Sequence, residues 1–290
     1  MDSNKHINIT SSKVGTLRSR IMNLAEAIDH IRPRIVQIGF SPTILSEEER
    51  SRARSVRHSP LGTGFIVSPD GYVITAGHVF QNIPEAKIRI GFAIPNIENM
   101  RGNFILVDCD IVDRDERHDM ALLKLGKNPF KGEVRSGYVI QDKEVPILYG
   151  LATLDTNRPR DGETIGISGY PLGEPVLVTN AGWMATSWAF KIDVYATPIP
   201  GAPQWFQLPD VADVYLADVE VNPGNSGAPV YLVESAEVIG MCVSSKPAPV
   251  RDQKGEIVKI DGQCLYYSSG LTHVVPSRYI VEILKKNGLG

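Results

Sequence analysis

The sequence predicts an all-β fold, a barrel or sandwich with one helix near each end. Two observations carry that prediction. From Gly62 onward the chain is a series of short apolar runs punctuated by turn signals. Helices are few: an apolar helical repeat marks the N-terminal segment, and a capped helix closes the chain.

The elements follow in order. Val14, Leu17, Ile21, Leu24, Ile28 and Ile31 recur at alternating spacings of three and four, which puts them on one stripe of a helix that Pro33 stops. This helix is expected to pack on the outside of the body; a partner-binding or self-associating helix is the alternative. Ile35, Val36, Ile38 and Phe40 read as the first strand. Residues 46–60, with Glu47-Glu48-Glu49-Arg50 and Arg52-Ala53-Arg54, read as an exposed loop. Phe65-Ile66-Val67 and Tyr72-Val73-Ile74-Thr75 flank the turn signal Ser68-Pro69-Asp70-Gly71. Further strands are expected at 87–92, 104–113, 120–125, 163–168, 176–184, 214–220, 228–233, 238–244 and 266–273. A last helix, 277–286, is expected to be capped by Ser277, with Gly288 past its end.

Composition narrows the function. The 290 residues carry 22% charged side chains and a net charge of -3, which gives no sign of a nucleic-acid partner or a solvated tail. Met1-Asp2-Ser3-Asn4-Lys5-His6 does not read as a signal peptide, and no apolar run reaches the ~18 residues of a membrane span. Cys109, Cys242 and Cys264 are too few, and odd in number, for a disulfide framework. They are expected to be small buried hydrophobes in a reducing cytosol.

Three segments carry candidate chemistry. His78 stands in Thr75-Ala76-Gly77-His78-Val79, where a strand gives way to a new segment among small residues. Its neutral imidazole, with a reference pKa of ~6.5, suits a general base at neutral pH. Asp119 leads directly into the apolar run Met120 to Leu125, where a half-buried carboxylate can fix the tautomer of His78. Ser226 stands in Gly224-Asn225-Ser226-Gly227, where the glycines permit positive φ and can aim successive N–H groups into one concavity. Singly these are a core or surface histidine, a solvated acid and a tight turn. Jointly they have the chain order His, Asp, Ser of the chymotrypsin-type triad. The rival acids Asp113, Asp115 and Glu116 read as solvated, and the rival base His118 as exposed.

The run from Gly62-Thr63-Gly64-Phe65 through Tyr72-Val73-Ile74-Thr75 to His78 resembles the HtrA-like branch of trypsin-like serine proteases. So do His118-Asp119-Met120-Ala121-Leu122, Gly162-Glu163-Thr164 through Gly169-Tyr170-Pro171-Leu172-Gly173, Asn222 through Gly227, and Val238-Ile239-Gly240. The resemblance implies two six-stranded antiparallel β-barrels of chymotrypsin type with the triad between them. On that basis 1–33 is a helical extension and 34–287 the protease domain, with barrels at about 34–142 and 143–273 and the helix at 277–287. No room is expected for the PDZ module usual in HtrA-like proteins, and the stretch Ser187 to Leu208 departs from the family pattern. Asn225 replaces the Asp by which digestive relatives pair with a new N-terminus, so activation by N-terminal trimming is not expected.

The resemblance implies a serine endopeptidase. His78 acts as base and then acid, Asp119 orients it, Ser226 forms the acyl-enzyme, and the Gly224 and Ser226 amides hold the oxyanion. Glu220, six residues before Ser226, would lie at the base of the primary pocket and favour Lys or Arg, with Asp218 as alternative. Val243, Ser244, Ser245 and Gly270 would form its walls. No metal or organic cofactor is expected; the partner is a protein or peptide substrate, with neither nucleic acid nor membrane. Two alternatives stand beside this reading: a latent effector switched on by a partner or by self-association through the N-terminal helix, and a non-catalytic binding module on a protease fold.

Overall fold

The computed structural model describes residues 21–41, 59–81, 87–95, 104–190 and 213–289. Six strands build a first closed barrel: β1 (Ile35–Ser41), β2 (Ser59–Ser68), β3 (Tyr72–Ala76), β4 (Lys87–Ala93), β5 (Phe104–Asp115) and β6 (Met120–Leu125). They run β1-β2-β3-β6-β5-β4, every pairing antiparallel, and β4 closes on β1. Within β5, Val107 and Cys109 are buried while Asp108 and Asp110 are exposed, the period of two that a half-buried strand requires. Ile38, Phe65, Ile74, Ile90, Phe92 and Leu122 are fully buried. Each such side chain contributes about 1.5–3 kcal/mol. The turn signal after β2 forms as expected: Gly71 takes φ 82 and its N–H donates to the Ser68 carbonyl at 3.0 Å.

The second barrel comprises β7 (Thr164–Gly169), β8 (Val178–Phe190), β9 (Val214–Asp218), β10 (Pro229–Leu232), β11 (Val238–Pro249) and β12 (Tyr266–Pro276). Its closed order is β8-β9-β12-β11-β10-β7, again antiparallel throughout. Ile165, Ile167, Tyr215, Val230, Cys242 and Val274 form its core. The two barrels are the chymotrypsin-type architecture that the resemblance implied.

Several elements depart from expectation for local reasons. β11 and β12 extend to Pro249 and Pro276, and Pro247, Ala248 and Pro249 pair with Ser268, Tyr267 and Tyr266 in a projecting ribbon. Much of that ribbon is half-buried, so no apolar alternation marks it in the sequence. β8 runs on to Phe190 and includes Trp188, whose ring is stacked by the Arg158 guanidinium at 3.7 Å.

The N-terminal stripe is interrupted. α1 spans only Leu24–Ile31, because Asn23 is extended and caps it: the Asn23 side chain accepts from the Glu26 N–H, and the Glu26 carboxylate accepts from the Asn23 N–H. Ile21 lies before the cap and is exposed, while Ala27 and Ile31 join a core cluster drawn from both barrels. Val14 and Leu17 lie outside the described residues, as do positions 46–58 of the expected loop; Ser59 and Pro60 belong to β2. At the other end, α2 (Ser277–Lys286) buries Ile280, Ile283 and Leu284, and Gly288 beyond it has φ 72. Ser277 is not its cap. Pro276 holds that position, and the Ser277 hydroxyl donates to the Val238 carbonyl at 2.6 Å instead.

Candidate active site

Each of the three candidate side chains is set by its own turn. β3 ends at Ala76, and a single 3-10 turn, Gly77–Phe80, carries His78. Asp119 follows another such turn, Glu116–His118, and adopts φ 51 and ψ 49, a left-handed conformation that Asp tolerates better than most residues. This conformation brings its backbone and side chain to the same neighbour. The Asp119 carbonyl accepts from the Gly77 N–H at 2.8 Å, and its Oδ1 accepts from the His78 N–H at 2.8 Å. Ser226 lies between Gly224, at φ 101, and Gly227, at φ 85. A Cβ on Gly224 would meet the Tyr170 carbonyl oxygen at 2.4 Å, and one on Gly227 would meet the Thr63 carbonyl oxygen at 2.1 Å. Both positions therefore require glycine, for φ and for space.

The three side chains are joined through the imidazole. His78 Nδ1 is 2.5 Å from Asp119 Oδ2, and His78 Nε2 is 2.9 Å from Ser226 Oγ. A carboxylate on Nδ1 makes that nitrogen the donor, which leaves Nε2 as acceptor for the serine hydroxyl. Asp119 is 5% exposed and the His78 side chain 27% exposed, so the carboxylate is sheltered while the imidazole is partly open to solvent. Ser226 Oγ also lies 3.4 Å from the Val243 carbonyl.

Beside Ser226 two backbone donors stand open. The N–H groups of Asn225, Gly227 and Ala228 donate to the carbonyls of Asn222, Cys242 and Asn225 at 3.0, 2.8 and 2.9 Å. Among the described residues those of Gly224 and Ser226 enter no hydrogen bond. The Pro223 carbonyl accepts from the Leu172 N–H at 2.6 Å, which turns the trans peptide so that the Gly224 N–H points the other way.

Thr63 was not singled out as a site residue, yet it braces the serine turn from the first barrel. Its N–H donates to the Ser226 carbonyl at 2.9 Å and its hydroxyl to the Gly224 carbonyl at 2.7 Å, while that hydroxyl accepts from the Tyr170 N–H. The signal was its place between Gly62 and Gly64 in the stretch that carries the family resemblance.

Glu116 is exposed as expected, whereas Asp113, Asp115 and the rival base His118 are placed differently. Asp113 is bound by Lys286 and Asn287 of the C-terminal segment, which hold its carboxyl below the usual range. Asp115 bonds His118, and His118 is buried, not exposed, with its ring stacked on Tyr279. Flanking charges misled here, because Asp115 turns inward to cap the very turn that carries His118.

The expected pocket residues are only partly gathered. Val243 touches Ser226 through its carbonyl, and Ser244 Oγ pairs with His273 Nδ1 at 3.0 Å. Ser245 and Gly270 are half-buried on neighbouring strands β11 and β12. Glu220 and Asp218 are exposed, so the argument from a buried carboxylate seeking a cationic substrate does not apply to either. Among the described residues no group of His, Cys, Asp and Glu is arranged to hold a metal ion, and no helix is long and apolar enough to cross a membrane.

Comparison with known proteins places this geometry in a family. A probable periplasmic serine endoprotease DegP-like from Marinomonas sp. (strain MWYL1) is 26% identical over 238 residues, 80% of this chain and 37% of the relative. A protein of the same name from Pseudomonas putida (strain GB-1) is 26% identical over 234 residues, 79% of this chain and 35% of the relative. The chain thus spans about a third of the length of these curated relatives. Among solved structures, the HtrA-type protease AlgW with a decapeptide shares the fold at a TM-score of 0.54 and 17% identity, covering 91% of this chain and 67% of that one.

These names correct the cytosolic expectation, since the curated relatives are called periplasmic. The cysteine argument failed for a physical reason. Burial pushes the thiols of Cys109 and Cys242 up to about 12, and a buried, protonated thiol is inert in either compartment. The trypsin-like peptidase domain model matches residues 62–241, more than half of the chain and the whole span from His78 to Ser226, and the chain belongs to that family.

Proposed function

We propose that this chain is a serine endopeptidase that cleaves peptide bonds through His78, Asp119 and Ser226 by way of an acyl-enzyme. The observation that carries the reading is the imidazole of His78, with a carboxylate on Nδ1 at 2.5 Å and a serine hydroxyl on Nε2 at 2.9 Å. His78 takes the Ser226 proton as Oγ attacks the scissile carbonyl carbon, and Asp119 stabilises the imidazolium that results. The imidazolium then gives its proton to the leaving amine, releasing the first product. Water, deprotonated by His78, attacks the ester on Ser226, and the acid product leaves as the proton returns to Oγ.

The open N–H groups of Gly224 and Ser226 supply the oxyanion site. They sit on a turn fixed by Thr63 and Leu172, so the donors require no reorganisation as charge develops. The substrate class is a protein or peptide, in keeping with the named activity of the curated relatives. A periplasmic setting also follows those names. The test is labelling with a fluorophosphonate probe beside Ser226→Ala. Labelling that vanishes in the variant is the expected result; equal labelling of both, or none in the wild-type chain, overturns the reading.

A further inference from the structure

His118 is a buried side chain that the proposed reaction does not use. Its side chain is 7% exposed and Nε2 has no hydrogen-bond partner, the only such buried side-chain atom among the described residues. Buried polar atoms without a partner are few in folded chains, and each calls for an explanation. The other contacts of His118 show what that is.

Asp115 grips the residue twice. Its Oδ1 accepts from the His118 N–H at 3.2 Å, and its Oδ2 lies 2.6 Å from His118 Nδ1. The ring is stacked on Tyr279 of α2, with centroids 3.7 Å apart and planes 16° from parallel. Tyr279 is itself anchored. Its hydroxyl donates to Asp213 Oδ2 at 2.8 Å and accepts from Arg278, which also donates to the Tyr215 hydroxyl. Arg117, on the same turn as His118, lies 3.9 Å from Asp213. The turn of the first barrel is therefore tied to the C-terminal helix and to the start of β9 in the second.

The next residue is Asp119. Its left-handed backbone persists only if its surroundings over-determine it. From within the turn the hold is weak, since the Asp119 N–H reaches the Glu116 carbonyl at 3.4 Å. We propose that His118 is a positioning residue for Asp119: clamped between the Asp115 carboxylate and the Tyr279 ring, it fixes the turn that aims Asp119 at His78. An imidazole suits the task because it offers a donor on Nδ1 and a flat face for stacking in one side chain. The second barrel thereby supports the acid of the site as well as the nucleophile. The proposal rests on the His78–Asp119–Ser226 reading only for its kinetic consequence, not for the clamp.

The test uses the full chain with His118→Ala and His118→Phe, each alone and on an Asp119→Asn background. His118→Ala is expected to lower kcat about tenfold with KM changed less than about twofold, and to cost less than about twofold once Asp119 is already Asn. It is also expected to move the acid limb of kcat/KM to lower pH, since a misplaced carboxylate supports the His78 imidazolium less. An undiminished loss on the Asp119→Asn background, or no loss at all, overturns the proposal. If His118→Ala does not fold, His118→Phe, which retains the stack and drops the Asp115 bond, carries the same comparison with a smaller expected loss. A readout independent of turnover is the NMR resonance of the proton between His78 and Asp119, deshielded in a bond of 2.5 Å. Its loss or upfield movement in His118→Ala is expected, and an unchanged resonance overturns the clamp. That resonance in a wild-type chain that fails to label at Ser226 would refute the protease reading while leaving the clamp in place.

Discussion

Two histidine–aspartate pairs lie back to back at the turn before β6, and they differ in what the second ring nitrogen meets. In His78–Asp119, Nδ1 is 2.5 Å from a carboxylate and Nε2 meets the Ser226 hydroxyl at the cleft. In His118–Asp115, Nδ1 is 2.6 Å from a carboxylate and Nε2 is buried with no hydrogen-bond partner. The pairs share chemistry and local geometry. One faces the Ser226 hydroxyl beside two open N–H groups; the other faces an aromatic ring of α2. A His–Asp pair is therefore no signature of catalysis by itself. The two proposed roles, moving a proton and holding a turn, rest on the different environments of Nε2.

The comparison breaks most sharply if each carboxylate is neutralised in turn. Asp119→Asn is expected to lower kcat about 10⁴-fold by favouring the wrong tautomer of His78. Asp115→Asn, at the same distance from its own histidine, is expected to cost about tenfold, through Asp119 only. Steady-state kinetics on one peptide substrate checks both, and comparable losses would dissolve the distinction. Gly224→Ala comes next. Its Cβ would displace the turn against the Tyr170 carbonyl and tilt one oxyanion donor, with an expected loss of about 10²–10³ in kcat. Because this turn does not touch His118, the stacked pair on α2 should survive, as near-ultraviolet circular dichroism of the Tyr279 environment can report.

The same contrast explains what could be read from the sequence. β3 to His78, Asp119 to β6 and the Gly224–Gly227 turn stood out in the sequence because the three occur together in one chain order, each ambiguous alone. His118 was misread because its partner lies across the molecule. Nothing between residues 113 and 120 says that Tyr279 covers the ring. Thr63 was invisible for a like reason, since its hydroxyl acts on a carbonyl 161 positions away. Glu220 shows the opposite failure, where counting from Ser226 supplied a position and the structure leaves its side chain exposed. Strand identity is local in sequence and pocket chemistry is not.

A third histidine, which meets a hydroxyl at Nδ1, sharpens the comparison. His273 is buried with Nδ1 on the Ser244 hydroxyl, and burial, with Lys246 adding to it, pushes its pKa down to about 4. The folded chain thus binds fewer protons at this site than the unfolded chain between about pH 6.5 and pH 4. Stability should fall as pH is lowered through that window, by on the order of 3 kcal/mol at most. Denaturant midpoints measured across it should fall less steeply in His273→Gln, and an identical slope would remove His273 as the cause.

The smallest effect is expected at Asp113, whose carboxylate is tied to α2 rather than to a ring. Lys286 and Asn287 hold its pKa below the usual range, so its contribution is present above the unfolded value and is lost as pH falls through the folded one. Lys286 is largely exposed, and Asp113→Asn should cost only about 0.5–1 kcal/mol at neutral pH. The same substitution tests how the C-terminal helix reaches the site. If α2 acts through Tyr279 and His118, loosening its far end at Lys286 should lower the melting temperature and leave kcat unchanged. A fall in kcat with Asp113→Asn would mean that the whole helix, and not the stacked ring, holds Asp119 in place.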